Sequence, residues 1–134
     1  MRILLDTHTL IWALMDAPQL NDSARKIILN EDNQIYYSSA SIWEVQIKHD
    51  KNSKIVGFDG NDLIRFCDDA GYFALNITSH HTAETGNLNI KKGHHVNNDP
   101  FDRMLLAQAK HEGMLFLTHD RMMQYYDEPS IMMF

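Results

Sequence analysis

Short apolar runs alternate along this chain with longer stretches in which apolar residues recur every three or four positions. Ile3-Leu4-Leu5 and Met114-Leu115-Phe116-Leu117 are unbroken and short, so they read as strands buried on both faces. Ile35-Tyr36-Tyr37, Phe73-Ala74-Leu75 and Ile131 to Phe134 read as further strands. The stretches between them have helical spacing. Leu10, Ile11 and Leu14 share one face of a helix opened at Asp6 or Thr7 and ended by Pro18. Asn21 caps a helix carrying Ala24, Ile27 and Ile28. Ser41–His49 offers Ile42, Val45 and Ile47, and a helix from Asn61 to about Gly71 offers Leu63, Ile64 and Phe66. Ser79 caps a helix to about Leu88, and Arg121–Tyr126 forms a short one. The strongest helix starts at Asp99-Pro100-Phe101-Asp102, runs through Met104, Leu105, Ala107 and Ala109, and closes at Gly113. Lys51–Gly60 and Asn89–Asn98 are polar loops.

Strands alternating with helices imply a parallel sheet covered on both faces. The fold class is therefore α/β, with a central parallel sheet of four to five short strands flanked by helices. No repeat, low-complexity segment or linker interrupts the pattern, so residues 1–134 read as a single domain.

Composition narrows the function. A net charge of −6 argues against a free-standing nucleic-acid binder, which is usually basic. It does not argue against a nuclease whose metal ions meet the phosphate. One cysteine, Cys67, excludes an internal disulfide and fits a packed residue in a reducing compartment. No run approaches the ~20 apolar residues of a membrane span. The expected location is the cytoplasm, with no membrane partner.

Four acids stand where an apolar run ends or a helix begins: Asp6, Glu44, Asp102 and Asp120. Each has a local explanation. Asp6 and Asp120 can cap helices, Asp99 and Asp102 with Pro100 make a helix start, and Glu44 lies four residues before Lys48. Together they fall at one edge of one sheet, off the carboxyl ends of its strands, where α/β proteins place their sites. Gathered there, they would form a negative pocket that needs cations. Hard divalent ions take oxygen ligands and can activate water against a phosphate. Thr7, Ser38 and Thr118 are hydroxyls beside these acids, suited to hydrogen-bond a ligand carboxylate or a phosphate. His94 and His95 lack paired ligands for zinc, and His8 and His119 are candidates for substrate contact only.

The ordered set Leu5-Asp6-Thr7-His8, Ser38 to Glu44 with Lys48, Asp99 to Ala109, and Thr118-His119-Asp120 resembles the PIN domain, with the VapC-like toxins of bacterial toxin–antitoxin pairs the nearest match. The likeness spans essentially the whole chain. It implies a Mg²⁺- or Mn²⁺-dependent endoribonuclease. Its catalytic quartet would be Asp6, Glu44, Asp102 and Asp120. Asp6 and Asp102 would hold metal most directly, Asp120 would assist, and Glu44 would orient or deprotonate the attacking water. Thr7, Ser38, Ser41 and Thr118 map to the family's hydroxyls. Whether Asp99 joins the site stays open. Implied partners are an RNA substrate, a cognate antitoxin protein and a second copy in a homodimer. Two other readings compete: a catalytically silent module whose acids capture a basic peptide, and a structure-specific DNA nuclease. Arg103, Lys48, Lys51, Lys54, Lys91 and Lys92 are available for a basic strip around the pocket.

Overall fold

This computed structural model describes residues 1–96 and 98–134. Asn97, within the expected loop 89–98, lies outside the described residues. Among the described residues five strands form one sheet: β1 (Arg2–Leu5), β2 (Gln34–Ser38), β3 (Phe73–Leu75), β4 (Leu115–Thr118) and β5 (Ile131–Met133). Their order is β3-β2-β1-β4-β5, and every pairing is parallel. The helices are α1 (Thr7–Leu14), α2 (Asp22–Leu29), α3 (Ser39–Lys51), α4 (Gly60–Ala70), α5 (Ser79–Glu84) and α6 (Pro100–Glu112). Single 3₁₀ turns cover Thr85–Asn87 and Arg121–Tyr125. The expected α/β architecture is the one observed.

The central strands have no wet face, which explains their unbroken apolar runs. Ile3, Leu5, Ile35, Tyr37 and Leu117 point into one core with Leu10, Ala24, Ile28, Val45 and Leu63. The alternate residues Leu4 and Phe116 point into the other, with Leu105, Leu106, Ala109 and Met123. The period of two along each strand thus divides its side chains between two helix layers. Burying Phe116, Leu4, Leu105 and Leu106 completely is worth about 1.5–3 kcal/mol per side chain before entropy costs.

Helix boundaries depart from the sequence expectation where caps decide them. α1 stops at Leu14, before Pro18, because Asp16 takes a left-handed φ of 50°. Arg25 holds that turn, pairing with Asp16 and donating to the carbonyls of Ala17 and Leu20, each at 3.1 Å. α3 begins at Ser39, two residues early, since Ser38 ends β2 and caps the helix at once. α4 begins at Gly60 under an Asp59–Asp62 capping box, one residue before the expected Asn61. Gly60 fits closely there: a Cβ would lie 3.1 Å from both Ile42 Cγ2 and Gln46 Oε1 on α3. Thr78, not Ser79, caps α5. The loop after Leu88 is pinned where it starts. Ile90 bridges to Tyr126, and buried Glu128 accepts from Asn89 N at 2.8 Å and Lys110 at 2.9 Å. No helix among the described residues is long and apolar enough to cross a membrane.

Candidate active site

β1 is the sheet's switch point: β2 and β3 are laid down on one side of it, and β4 and β5 on the other. Crevices in open parallel sheets form at that point, beyond the carboxyl ends of the strands. Asp6 follows β1 there, and Thr118 ends β4 beside it, since Leu5 pairs with Leu117. The Asp6 N–H donates to Leu117 O at 3.2 Å.

Asp6 is 5% exposed and accepts one hydrogen bond on each oxygen. Its Oδ1 accepts from Thr9 N at 2.7 Å, and its Oδ2 accepts from the Thr118 hydroxyl. Thr118 Oγ1 accepts in turn from Asp120 N at 3.0 Å, and Asp120 Oδ1 caps the next turn through Met122 N at 3.0 Å. One hydroxyl therefore ties the first acid to the last. The capping roles read from sequence are real for both. They do not compete with a shared site, because a carboxylate has about four lone-pair directions and a cap uses one.

α6 brings the third acid. Asp99 caps it, accepting from Phe101 N at 2.8 Å and Asp102 N at 3.3 Å, with Pro100 in the first turn. Asp102 sits half-buried on that turn. Among the described residues its carboxylate receives no hydrogen bond or cation. Burial pushes its pKa up to about 7, and repulsion from Asp99, Asp120, Asp6 and Glu44 pushes the same way. All five acids therefore act on one place, with Asp99 the strongest neighbour. Glu44 arrives on α3, its side chain 12% exposed and paired with Lys48 at 3.0 Å. Trp43 and Phe101 lock α3 to the start of α6, edge to face at 5.3 Å, directly beside Glu44 and Asp102.

A family model described as the PIN domain matches residues 3–129. The chain belongs to the PIN domain family. A solved structure from Rickettsia felis, described as VapBC2 bound to a DNA fragment from their promoter, has the same fold. It matches with a TM-score of 0.65 and 19% identity, covering 100% of this chain and 98% of the other. A search of curated proteins finds no match.

Within this PIN domain the hydroxyls divide into two groups. Thr118 touches Asp6 directly. Thr7 and Ser41, both buried, bond each other at 2.9 Å and tie the start of α1 to α3. Ser38 is wholly buried, accepting from Ala40 N at 3.0 Å and donating to Gln108 Oε1 at 2.5 Å. Its hydroxyl supports the helix that bears Glu44 and has no surface to offer a phosphate.

Gln108 and His81 are buried polar residues behind the cap of α3 that sequence reasoning missed. Both are completely buried. Gln108 Nε2 lies 3.4 Å from His81 Nδ1, which also accepts from Thr78 N at 3.1 Å. The imidazole proton is then on Nε2, donated to Glu112 at 2.7 Å. A glutamine amid apolar residues in a strong helix was the one available signal. The other candidates take lesser parts. His8, Trp12, His119 and Phe134 form an aromatic group, with Trp12 6.0 Å from His8 and 5.7 Å from His119. His94 stacks on Tyr125 at 5.0 Å. Arg103 is spent on Tyr126 and the Thr85 carbonyl. Cys67 is a packed residue whose thiol burial and Asp68 push up to about 12.

Proposed function

We propose that this PIN domain is a Mg²⁺- or Mn²⁺-dependent endoribonuclease, the toxin of a toxin–antitoxin pair. The observation that carries the reading is Asp102: a half-buried carboxylate, without a donor among the described residues, under the repulsion of four other acids. Such charge is stable only with a cation or a proton.

The donors suit a hard divalent ion, since the groups that press on Asp102 are all carboxylates. Among the described residues no three His, Cys, Asp or Glu side chains close up into a ready cage. Mg²⁺ does not need one; it usually takes one or two carboxylates and keeps several waters. Asp6, Asp102 and Asp120 would hold it. When bound, such an ion supplies an activated water at neutral pH and offsets phosphate charge.

The chain's own residues supply orientation. Thr9 N and Thr118 fix both oxygens of Asp6, so it meets a ligand without rotating. Lys48 takes Glu44 Oε2 and leaves Oε1 to align the attacking water. The water oxygen bonds to phosphorus as its proton passes to Glu44, the bond to O3′ breaks, and O3′ takes a proton from solvent, leaving 3′-hydroxyl and 5′-phosphate ends. An antitoxin partner and a homodimer belong to the same reading. The VapBC2 description of the structural neighbour supports the first.

The test compares the wild-type protein with Asp6→Asn and Asp102→Asn on single-stranded RNA, single-stranded DNA and flap DNA, with Mg²⁺ or with EDTA. RNA cleavage that requires metal and both acids is expected. Cleavage by Asp6→Asn at the wild-type rate would overturn the assignment. A protein that cuts nothing but binds an arginine-bearing peptide without metal would be the silent module instead, and preference for flap DNA would redirect the substrate.

A further inference from the structure

Trp43 is 62% exposed, although it stands on the same helix as Glu44 and packs on the ring beside Asp102. Its indole forms the rim between two different surfaces. On one side lie Glu44, its neighbour in the chain, and Asp102, the neighbour of its partner Phe101. On the other, a groove of about 370 Å³ opens between α3, the start of α4 and the end of β3. Ile42 and Ile64 line its walls, and no charged side chain among the described residues borders it. Three amides do. Gln46 is already committed, donating to Asp50 and accepting from Gly60 N. Asn61 and Asn76 are exposed.

We infer that this groove is a nucleobase subsite, in which the base next to the scissile phosphate leaves its stack, lies against Trp43, and meets Asn61 and Asn76 along its edge. The inference rests on the nuclease reading and adds what selects the substrate. The two halves of a nucleotide differ as these two surfaces differ. The phosphate is charged and belongs with the cations of the acid pocket. The base is flat, neutral and edged with donors and acceptors, as the groove's aromatic rim and amides require. Unpaired bases splayed onto aromatic rings and read by polar side chains are the usual form of sequence-specific RNA recognition. A protein occupant is a poorer fit. A stable protein interface covers roughly 800 Å² per partner, whereas this groove, at about 370 Å³, has the size of a small-ligand pocket. Trp43 lines the groove and stands next to Glu44 on α3, so the groove and the acid-bearing face share one residue as their border.

The test uses Trp12→Phe, which leaves Trp43 as the sole tryptophan, combined with Asp6→Asn to prevent cleavage. Trp43 fluorescence is titrated with each of the four homopolymeric hexaribonucleotides. Quenching by at least one is expected, with the ranking of the four altered by Asn61→Ala or Asn76→Ala. In the active protein, Trp43→Ala should raise KM for RNA about tenfold or more, as the loss of one stacked base does, while kcat falls much less. Trp43→Phe, which keeps an aromatic ring against Phe101, should restore part of the loss, with a melting temperature near wild type. Absence of quenching by all four, or a wild-type KM in Trp43→Ala, overturns the subsite. So does a Trp43→Ala substitution that turns a dimer into a monomer when Trp43 of the unsubstituted protein is not quenched by RNA, which would make the groove an interface between copies. Quenching by an arginine-bearing peptide but by no RNA overturns it in favour of a protein partner. Quenching by RNA in a protein that cleaves none would sink the nuclease reading and leave the subsite standing.

Discussion

Asp102→Asn should make the metal-free protein more stable, although it removes a proposed catalytic residue. The carboxyl is raised from 3.8 to about 7 because its ionised form is half-buried and repelled by Asp99, Asp120, Asp6 and Glu44. In the unfolded chain it ionises near its ordinary value. The folded state therefore bears no cost below about pH 4, a growing cost as pH rises, and the full cost above about pH 7. At about 1.4 kcal/mol per pH unit this is roughly 4 kcal/mol at most. Partial exposure and solvent screening bring it to about 2 kcal/mol. The substitution also forfeits attraction between the carboxylate and the N-terminus of α6, worth ~0.5 kcal/mol. Repulsion wins, leaving a gain of about 1.5 kcal/mol, or about 6 °C in Tm for a chain of this length. The assay is thermal or urea unfolding of both proteins in EDTA at about pH 8 and about pH 4. The gain should be present at the higher pH and absent at the lower. Mg²⁺ should stabilise the wild type by mass action and narrow the difference. Equal or lower stability of Asp102→Asn at the higher pH in EDTA would refute the crowded pocket, as would a gain that ignores pH.

Two other substitutions probe the supports of the site. Thr118→Val keeps shape but strands the Asp120 N–H and one oxygen of buried Asp6. It should cost about 1–3 kcal/mol, seen as a lower urea midpoint at unchanged slope. An unchanged midpoint would mean that water replaces the hydroxyl. Gln108→Leu leaves the Ser38 hydroxyl without its acceptor and Glu112–His81 without the glutamine behind it. A loss of about 1–3 kcal/mol is expected, read by urea unfolding, and a neutral result would show that the relay does not hold α3 in place.

The strands were legible because burial on both faces demands apolar residues at every position. Ile3-Leu4-Leu5 and Leu115-Phe116-Leu117 have no solvent to serve. Helix identity was legible from spacing, but helix starts were not. Ser38 and Thr78 cap one or two residues away from the expected positions, because the backbone that delivers each cap is aimed by the sheet. The acids could be picked out because each interrupts or adjoins an apolar run. That Asp99 presses on Asp102 more strongly than the other acids was invisible, since three residues along the chain says nothing of charge separation once Asp99 is bent into a cap. Gln108 and His81 were hidden for a related reason. A buried hydrogen bond needs a partner, and theirs lie 70 and 27 residues from Gln108, at Ser38 and His81.

Sequence alone decided the class of fold and the family, because periodicity and residue type are local properties written at each position. Tertiary structure decided which oxygens remain open. Asp6 is held by Thr118 from a strand 112 residues away, Glu44 is held by Lys48 one turn on, and Asp102 is held by nothing among the described residues. Repulsion and hydrogen bonding act over a few ångströms of space, so only the folded chain sets which carboxylate is left facing its neighbours' charge.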